Sequence, residues 1–171
     1  MITINDTIPN VDLYTFDHTE KITCKIKTHK LFQGRVILVG VPGAFTKTCS
    51  TIHIPGFIKY STQFKLLFNV DLMCCIAIND PYVMHSWGEL HCPAEIMQFV
   101  SDGNGEFTKA LGLTQDLSHL GMNIRSKRYS MLIEDYIVKV LSVDDTGKGC
   151  VLSEAENFYQ EVALYRNKTK Q

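Results

Sequence analysis

Residues 35–41 read Arg-Val-Ile-Leu-Val-Gly-Val, and residues 70–78 form a second run of the same buried character. Such runs mark strands covered on both faces, which usually means central strands of an α/β sheet. Between them Ile52, Phe57, Ile58, Phe64, Leu67 and Phe68 recur at roughly helical spacing, and Pro55 is placed to kink or restart that helix. Strand, helix and strand in this order form a βαβ unit with a right-handed crossover. The rest of the chain must be built around that unit.

The flanking segments fill in a mixed sheet. Residues 12–27 alternate apolar and polar side chains, as in a hairpin exposed on one face. The segment before them, to about Asn10, is polar with a proline and is expected to lie across the surface. Asn79-Asp80-Pro81 is a helix-start signal for a helix running to about Leu90. A short strand at 97–100, a turn at 102–105 and a short helix at 107–113 come next. Strands at 129–133 and 137–143 are joined by Glu134-Asp135-Tyr136, a connection so short that they must be antiparallel. An amphipathic helix at 154–166 closes the chain. The expected fold is α/β, one domain over residues 1–171, with helices on both faces of a mixed sheet and an N-terminal β-hairpin. At 171 residues such a domain needs no disulfide staples.

Composition narrows the function. Eighteen acidic against 17 basic side chains give a formal charge of -1, so no global field favours a nucleic acid or an anionic membrane. No apolar run approaches the roughly 18 residues of a membrane helix. No secretory, peroxisomal, retention or prenylation signal is visible, which points to the cytoplasm or to an organelle form already processed. In a reducing setting the six cysteines, Cys24, Cys49, Cys74, Cys75, Cys92 and Cys150, are expected as thiols rather than staples.

Ligands of open α/β sheets gather beyond the carboxyl ends of strands. The segment after residues 35–41 reads Pro42-Gly43-Ala44-Phe45-Thr46-Lys47-Thr48-Cys49-Ser50. Phosphate binding would need glycine directly before Lys47, and Thr46 stands there. Thiolate chemistry fits better. With Thr46 as N-cap, Cys49 falls in the first helical turn, where unpaired amides and the positive end of the helix stabilise an anion. Pro42 would wall the site from solvent. The competing reading is a small buried cysteine without reactivity, and the residues alone leave the two about level. Cys49 and His53 share i, i+4 spacing, but no second ligand pair supports a metal, and His53 is expected on a helix surface or at an interface. No Cys-x-x-Cys pair is present, so a dithiol oxidoreductase is not indicated.

The pattern Pro42-x-x-x-Thr46-x-x-Cys49, followed by His53-Ile54-Pro55-Gly56, resembles the active-site loop of peroxiredoxins, most closely the type II or atypical branch. The resemblance continues through residues 75–84 with Trp87, through Ser101-Asp102-Gly103 and Ala110-Leu111-Gly112-Leu113, and through Arg125-Ser126-Lys127-Arg128-Tyr129. It covers roughly residues 9–165. It implies a thioredoxin-like fold and thiol-dependent reduction of hydroperoxides, with no metal, haem or flavin. Cys49 would be the peroxidatic cysteine, Thr46 and Pro42 would complete its loop, and the family arginine falls on Arg128. The backbone amide of Gly43 and the side chain of Arg125 would support the site. The branch usually carries proline where Lys47 stands, so some preorganisation of the helix start is lost.

Attack on a peroxide leaves a sulfenic acid that must meet a thiol. The resemblance offers Cys75 as a resolving partner, within an apolar strand, while Cys74 should face the opposite side. Cys150 is a weaker candidate in the loop at 147–150. The favoured route needs only Cys49, with glutathione and glutaredoxin, or thioredoxin, as reductant. The resemblance also implies a homodimer, with Phe45 and Tyr82 as aromatic candidates for its surface. The alternative function is a peroxide sensor using the same thiolate, which would consume one equivalent of peroxide rather than many.

Overall fold

The computed structural model describes residues 1–17, 19–92, 94, 96–144 and 149–169. A seven-stranded mixed sheet in the order β2-β1-β5-β4-β3-β8-β9 organises it. The N-terminal hairpin is β1 (Asp12–Asp17) and β2 (Ile22–Lys27). The central strands are β3 (Arg35–Gly40) and β4 (Leu72–Ala77), parallel to each other, with β5 (Gln98–Ser101) parallel to β4. The last hairpin, β8 (Tyr129–Glu134) and β9 (Ile137–Val143), adds to the far side of β3 in antiparallel register.

Helices cover both faces. After the short α1 (Thr28–Leu31), α2 (Ile54–Phe68) joins α3 (Pro81–His91) and α5 (Ala155–Thr169) on one face. Phe57 and Phe64 of α2 pack with Phe158 of α5, against Ile37, Val39 and Cys75 of the sheet. The opposite face holds Val36, Leu38, Cys74 and Ile76 against α4 (Glu106–Leu111). Alternation along β4 therefore sends the neighbouring thiols of Cys74 and Cys75 into different cores. Asp80 caps α3 by accepting from the amides of Tyr82 and Val83, with Pro81 in the first turn.

Three features go beyond the sequence reading. The N-terminal segment lies across the surface but is anchored rather than loose: Ile2 and Ile8 are buried, and their amides bond the carbonyls of Leu111 and Tyr136. Two isoleucines filling the space over α4 and the last hairpin outweigh the polar residues between them. A small second sheet of β6 (Thr114–Asp116) and β7 (Ile124–Ser126) has strands too short to show a period. Finally, the helix after β3 starts at Lys47 and passes at once into a π turn, Cys49–His53, in which the Ile54 amide reaches back to the Cys49 carbonyl. Pro55 lacks an amide proton, and its ring would press on the carbonyl four residues back in a regular α-helix; the wider turn accommodates it.

Candidate active site

The chain leaves β3 at Gly40 and turns through 42–46 before the helix starts. Phe45 takes a left-handed φ of 61°, unusual for a bulky residue. The turn is held from the next strand end, where the Asn79 side chain accepts from the Ala44 amide at 3.0 Å. A Cβ at Gly43 would stand 3.3 Å from Arg125 Nη1, 3.3 Å from Asn79 Oδ1 and 3.4 Å from Met122 Cε, so glycine lets these three side-chain ends close tightly over the turn.

Thr46 occupies the expected N-cap place, its carbonyl accepting from the Ser50 amide at 3.0 Å. Its hydroxyl does not cap the helix. It donates to the Gly43 carbonyl at 3.0 Å, which closes the turn and leaves the oxygen lone pairs as acceptors. Cys49 is completely buried in the first turn. Pro42 is half-buried beside the turn.

Arg128, 8% exposed, enters from the residue before β8. Its Nη1 donates to Cys49 Sγ at 3.3 Å. A guanidinium keeps its charge at any working pH, so a permanent cation faces a buried sulfur. The same Nη1 lies 3.2 Å from His53 Nδ1. Among the described residues Arg128 has no carboxylate partner within ion-pair distance. The amide of Lys127, next to it, donates to the Leu113 carbonyl.

Arg125 stands at the rim. Its Nε donates to the Met122 carbonyl at 2.8 Å and its Nη1 to the Ile78 carbonyl at 3.2 Å, tying the segment before β7 to the end of β4. Trp87 of α3 donates from Nε1 to Ser50 Oγ at 3.0 Å, bracing the residue beside Cys49. Phe45 and Tyr82 are both more than half exposed.

The structure corrects the reading of His53. It is neither a surface nor an interface residue; it is fully buried in the π turn. Its ring nitrogens face Arg128 on one side and the Ser153 carbonyl, at 3.0 Å, on the other. Burial, with the adjacent Arg128 charge, pushes its pKa down to about 3, so the ring is neutral. The signal available in the sequence was its i, i+4 distance from Cys49, which puts the two on the same side of one turn.

The other cysteines are differently placed. Cys75 shares the core of Cys49, in the middle of β4, and burial pushes its thiol well above the usual range. Cys74 is raised by burial on the other face. Cys150 is half-buried, its Sγ 3.9 Å from Ser153 Oγ, and burial pushes it up to about 11 against the opposing pull of Arg128. Gly147 and Lys148, the remainder of its expected loop, lie outside the described residues.

A buried thiol in a helix start, with a fixed cation on the sulfur and a hydroxyl acceptor one turn away, is equipped to attack an electrophilic oxygen. Comparison with known proteins agrees. The Redoxin family model matches residues 3–159. Peroxiredoxin-2B of Arabidopsis thaliana is 40% identical over 153 residues, covering 89% of this chain and 93% of that protein. The crystal structure of reduced Prx3 from Vibrio vulnificus in complex with hydrogen peroxide superposes with a TM-score of 0.86 at 37% identity, covering 96% of this chain and 99% of that one. The Plasmodium falciparum antioxidant protein, a 1-Cys peroxiredoxin, gives a TM-score of 0.88 at 29% identity over 95% of this chain and 99% of that one. With this geometry and these relatives, the chain belongs to the redoxin family as a thioredoxin-fold peroxiredoxin related to the plant type II enzymes, and its activity is thiol-based peroxide reduction.

Proposed function

We propose that the substrates are hydrogen peroxide and alkyl hydroperoxides, and that Cys49 is the only cysteine the cycle requires. The Cys49 thiolate attacks the terminal peroxide oxygen. The new S–O bond forms as the O–O bond breaks, and the departing oxide leaves as water or alcohol after taking a proton. Sulfur is oxidised to sulfenic acid and the peroxide is reduced. The observation that carries this reading is the Arg128 Nη1 donor 3.3 Å from a sulfur with no solvent exposure. Charge developing on the O–O unit then meets a donor that needs no reorganisation. Thr46 Oγ, its own proton engaged by Gly43, accepts from the peroxide hydroxyl and orients it. Pro42 excludes water, and Gly43 and Arg125 keep the turn in shape.

The sulfenic acid is reduced by an external thiol, glutathione with glutaredoxin ahead of thioredoxin. Supporting this, Cys75 sits in the interior of the sheet, with Val39 and Phe99 as its ladder neighbours, and burial holds its thiol in the neutral form. A 1-Cys cycle is also what the name of the Plasmodium falciparum relative describes. The free thiols suit a reducing compartment such as the cytoplasm. The exposed Phe45 and Tyr82 beside the site suit a homodimer.

The test replaces every cysteine except Cys49 by serine and measures peroxide consumption with each reductant. Multiple turnover at the wild-type rate with glutathione and glutaredoxin is expected. Loss of turnover on Cys75→Ser or Cys150→Ser, with Cys49 still oxidised once, would replace this reading by a two-cysteine cycle. A single equivalent consumed by the wild-type protein under all reductants would make it a sensor.

A further inference from the structure

His53 has four polar contacts and no solvent, yet the attack on peroxide does not use it. A guanidinium can only donate, so Nδ1 must be the acceptor facing Arg128. A carbonyl can only accept, so Nε2 carries the proton and donates to Ser153. The tautomer is thus dictated from both sides. Behind Ser153 the arrangement continues. Its hydroxyl donates to Asp144 Oδ2 at 2.5 Å, while Asp144 Oδ1 accepts from the amides of Val151, Leu152 and Ser153. Ser130 Oγ also donates to the Ser153 carbonyl, at 2.7 Å. The Asp144 carboxylate is therefore fully engaged with Ser153 and the 151–153 amides; its own amide donates to the Arg128 carbonyl at 2.9 Å, but its carboxylate makes no ion pair with the guanidinium.

Arginine carries a long side chain with many rotamers, and a donor that must meet one sulfur atom needs a second anchor. The usual anchor is a carboxylate, which orients the guanidinium but also neutralises it. Here the anchor is a neutral imidazole. We infer that His53 is a positioning residue that fixes Arg128 Nη1 on the Cys49 sulfur without cancelling its charge, so that among the described residues the thiolate is the only anion in contact with that cation. The inference rests on Arg128 acting on the reacting sulfur. It also gives the π turn a role, because the turn that begins at Cys49 ends at His53 and sets both groups on one nitrogen.

The test uses three substitutions in the full chain. His53→Asn keeps an acceptor near Nδ1 and stays neutral. His53→Asp has the same shape and adds a negative charge. His53→Phe keeps a ring against Phe57 and removes the acceptor. Reduced protein is mixed rapidly with hydrogen peroxide, and the single tryptophan, Trp87, reports oxidation through its bond to Ser50. The pH dependence of Cys49 alkylation by iodoacetamide is measured in parallel. His53→Asn is expected to stay within about fivefold of wild type. His53→Asp and His53→Phe are each expected to slow oxidation by more than about tenfold and to move the alkylation midpoint upward. In an Arg128→Lys background the difference between Asn and Asp should shrink below about threefold. An Asp variant as fast as the Asn variant, or an Asn-to-Asp difference that persists in full without Arg128, would overturn the inference. If the Phe variant does not fold, the Asn and Asp pair still decides. A wild-type rate for Arg128→Lys alone would remove the role of Arg128 itself, and the inference with it.

Discussion

Cys49 and Cys75 lie in the same core and are equally hidden from solvent, but only Cys49 receives a hydrogen bond from a guanidinium among the described residues. Burial alone favours the neutral thiol, as the raised values of Cys75 and of Cys74 behind it show. What separates the two places is what the backbone has left to offer. On β4 the amides are spent in ladders with β3 and β5. At the helix start the first-turn amides have no intrahelical acceptor, and the turn that precedes them brings in Thr46. A reactive thiol here needs an unfinished piece of secondary structure, and a central strand is the most finished kind.

The most severe way to test that contrast is to exchange the sulfur. Cys49→Ser should lower peroxide turnover by at least about a thousandfold, roughly 4 kcal/mol of barrier, in a coupled consumption assay. A residual rate above a hundredth of wild type would mean that another thiol serves. Removing the distinguishing donor comes next. Arg128→Lys keeps a charge but loses the rigid fork, and the second-order rate with hydrogen peroxide should fall about a hundredfold. If it fell equally for alkylation by iodoacetamide, Arg128 would be acting on the thiolate and not on the departing oxygen.

Acid stability sharpens the comparison from the side of His53. Its pKa is pushed down to about 3 in the fold against an ordinary 6.5, so below pH 6.5 the unfolded chain binds the extra proton. Its contribution is intact above about pH 6.5 and is lost progressively as pH falls towards 3, on the order of a few kcal/mol. Asp102, pushed up by burial, contributes with the opposite sign, favouring the fold at low pH. The difference between wild-type and His53→Asn unfolding curves isolates the histidine; an unchanged slope between pH 6.5 and 4 would contradict the assignment.

The strand cysteine should matter to stability only. Cys75→Ser buries a hydroxyl among apolar neighbours and should cost about 1–3 kcal/mol in denaturant unfolding. Turnover with an external reductant should stay within about threefold. The smallest effect is expected at Lys47, an exposed residue in the first turn. Lys47→Pro should restore preorganisation and change the oxidation rate by less than about tenfold. A change beyond about a hundredfold would show that the lysine charge itself takes part.

Much of the molecule is legible in its residues, and the exceptions have reasons. The run at 35–41 and the short connection Glu134-Asp135-Tyr136 dictate β3 and the last hairpin, because continuous apolar runs and three-residue links admit few structures. Pro42, Thr46, Cys49 and Arg128 all stand out in the sequence, and the fold brings Arg128 onto Cys49 across 79 positions. His53 is misplaced by sequence reasoning because helix periodicity is blind to a π turn, and because its partners Arg128 and Ser153 are 75 and 100 residues away. The Gly43 partner of the Thr46 hydroxyl escapes it for a different reason. The hydroxyl has two local choices, a first-turn amide or the Gly43 carbonyl, and only the shape of the turn decides between them.

The π turn has one more consequence, for the phase of the helix. One surplus residue offsets everything before it by about 100° relative to the later turns. The stripe of Ile54, Phe57, Ser61, Phe64 and Phe68 is read in one frame, and Cys49 in another. A chain lacking one residue between them would make a smoother helix with a single continuous stripe. It would also swing the sulfur off Arg128, so the packing of α2 and the aim of the thiol are set by separate parts of the sequence and are free to vary separately.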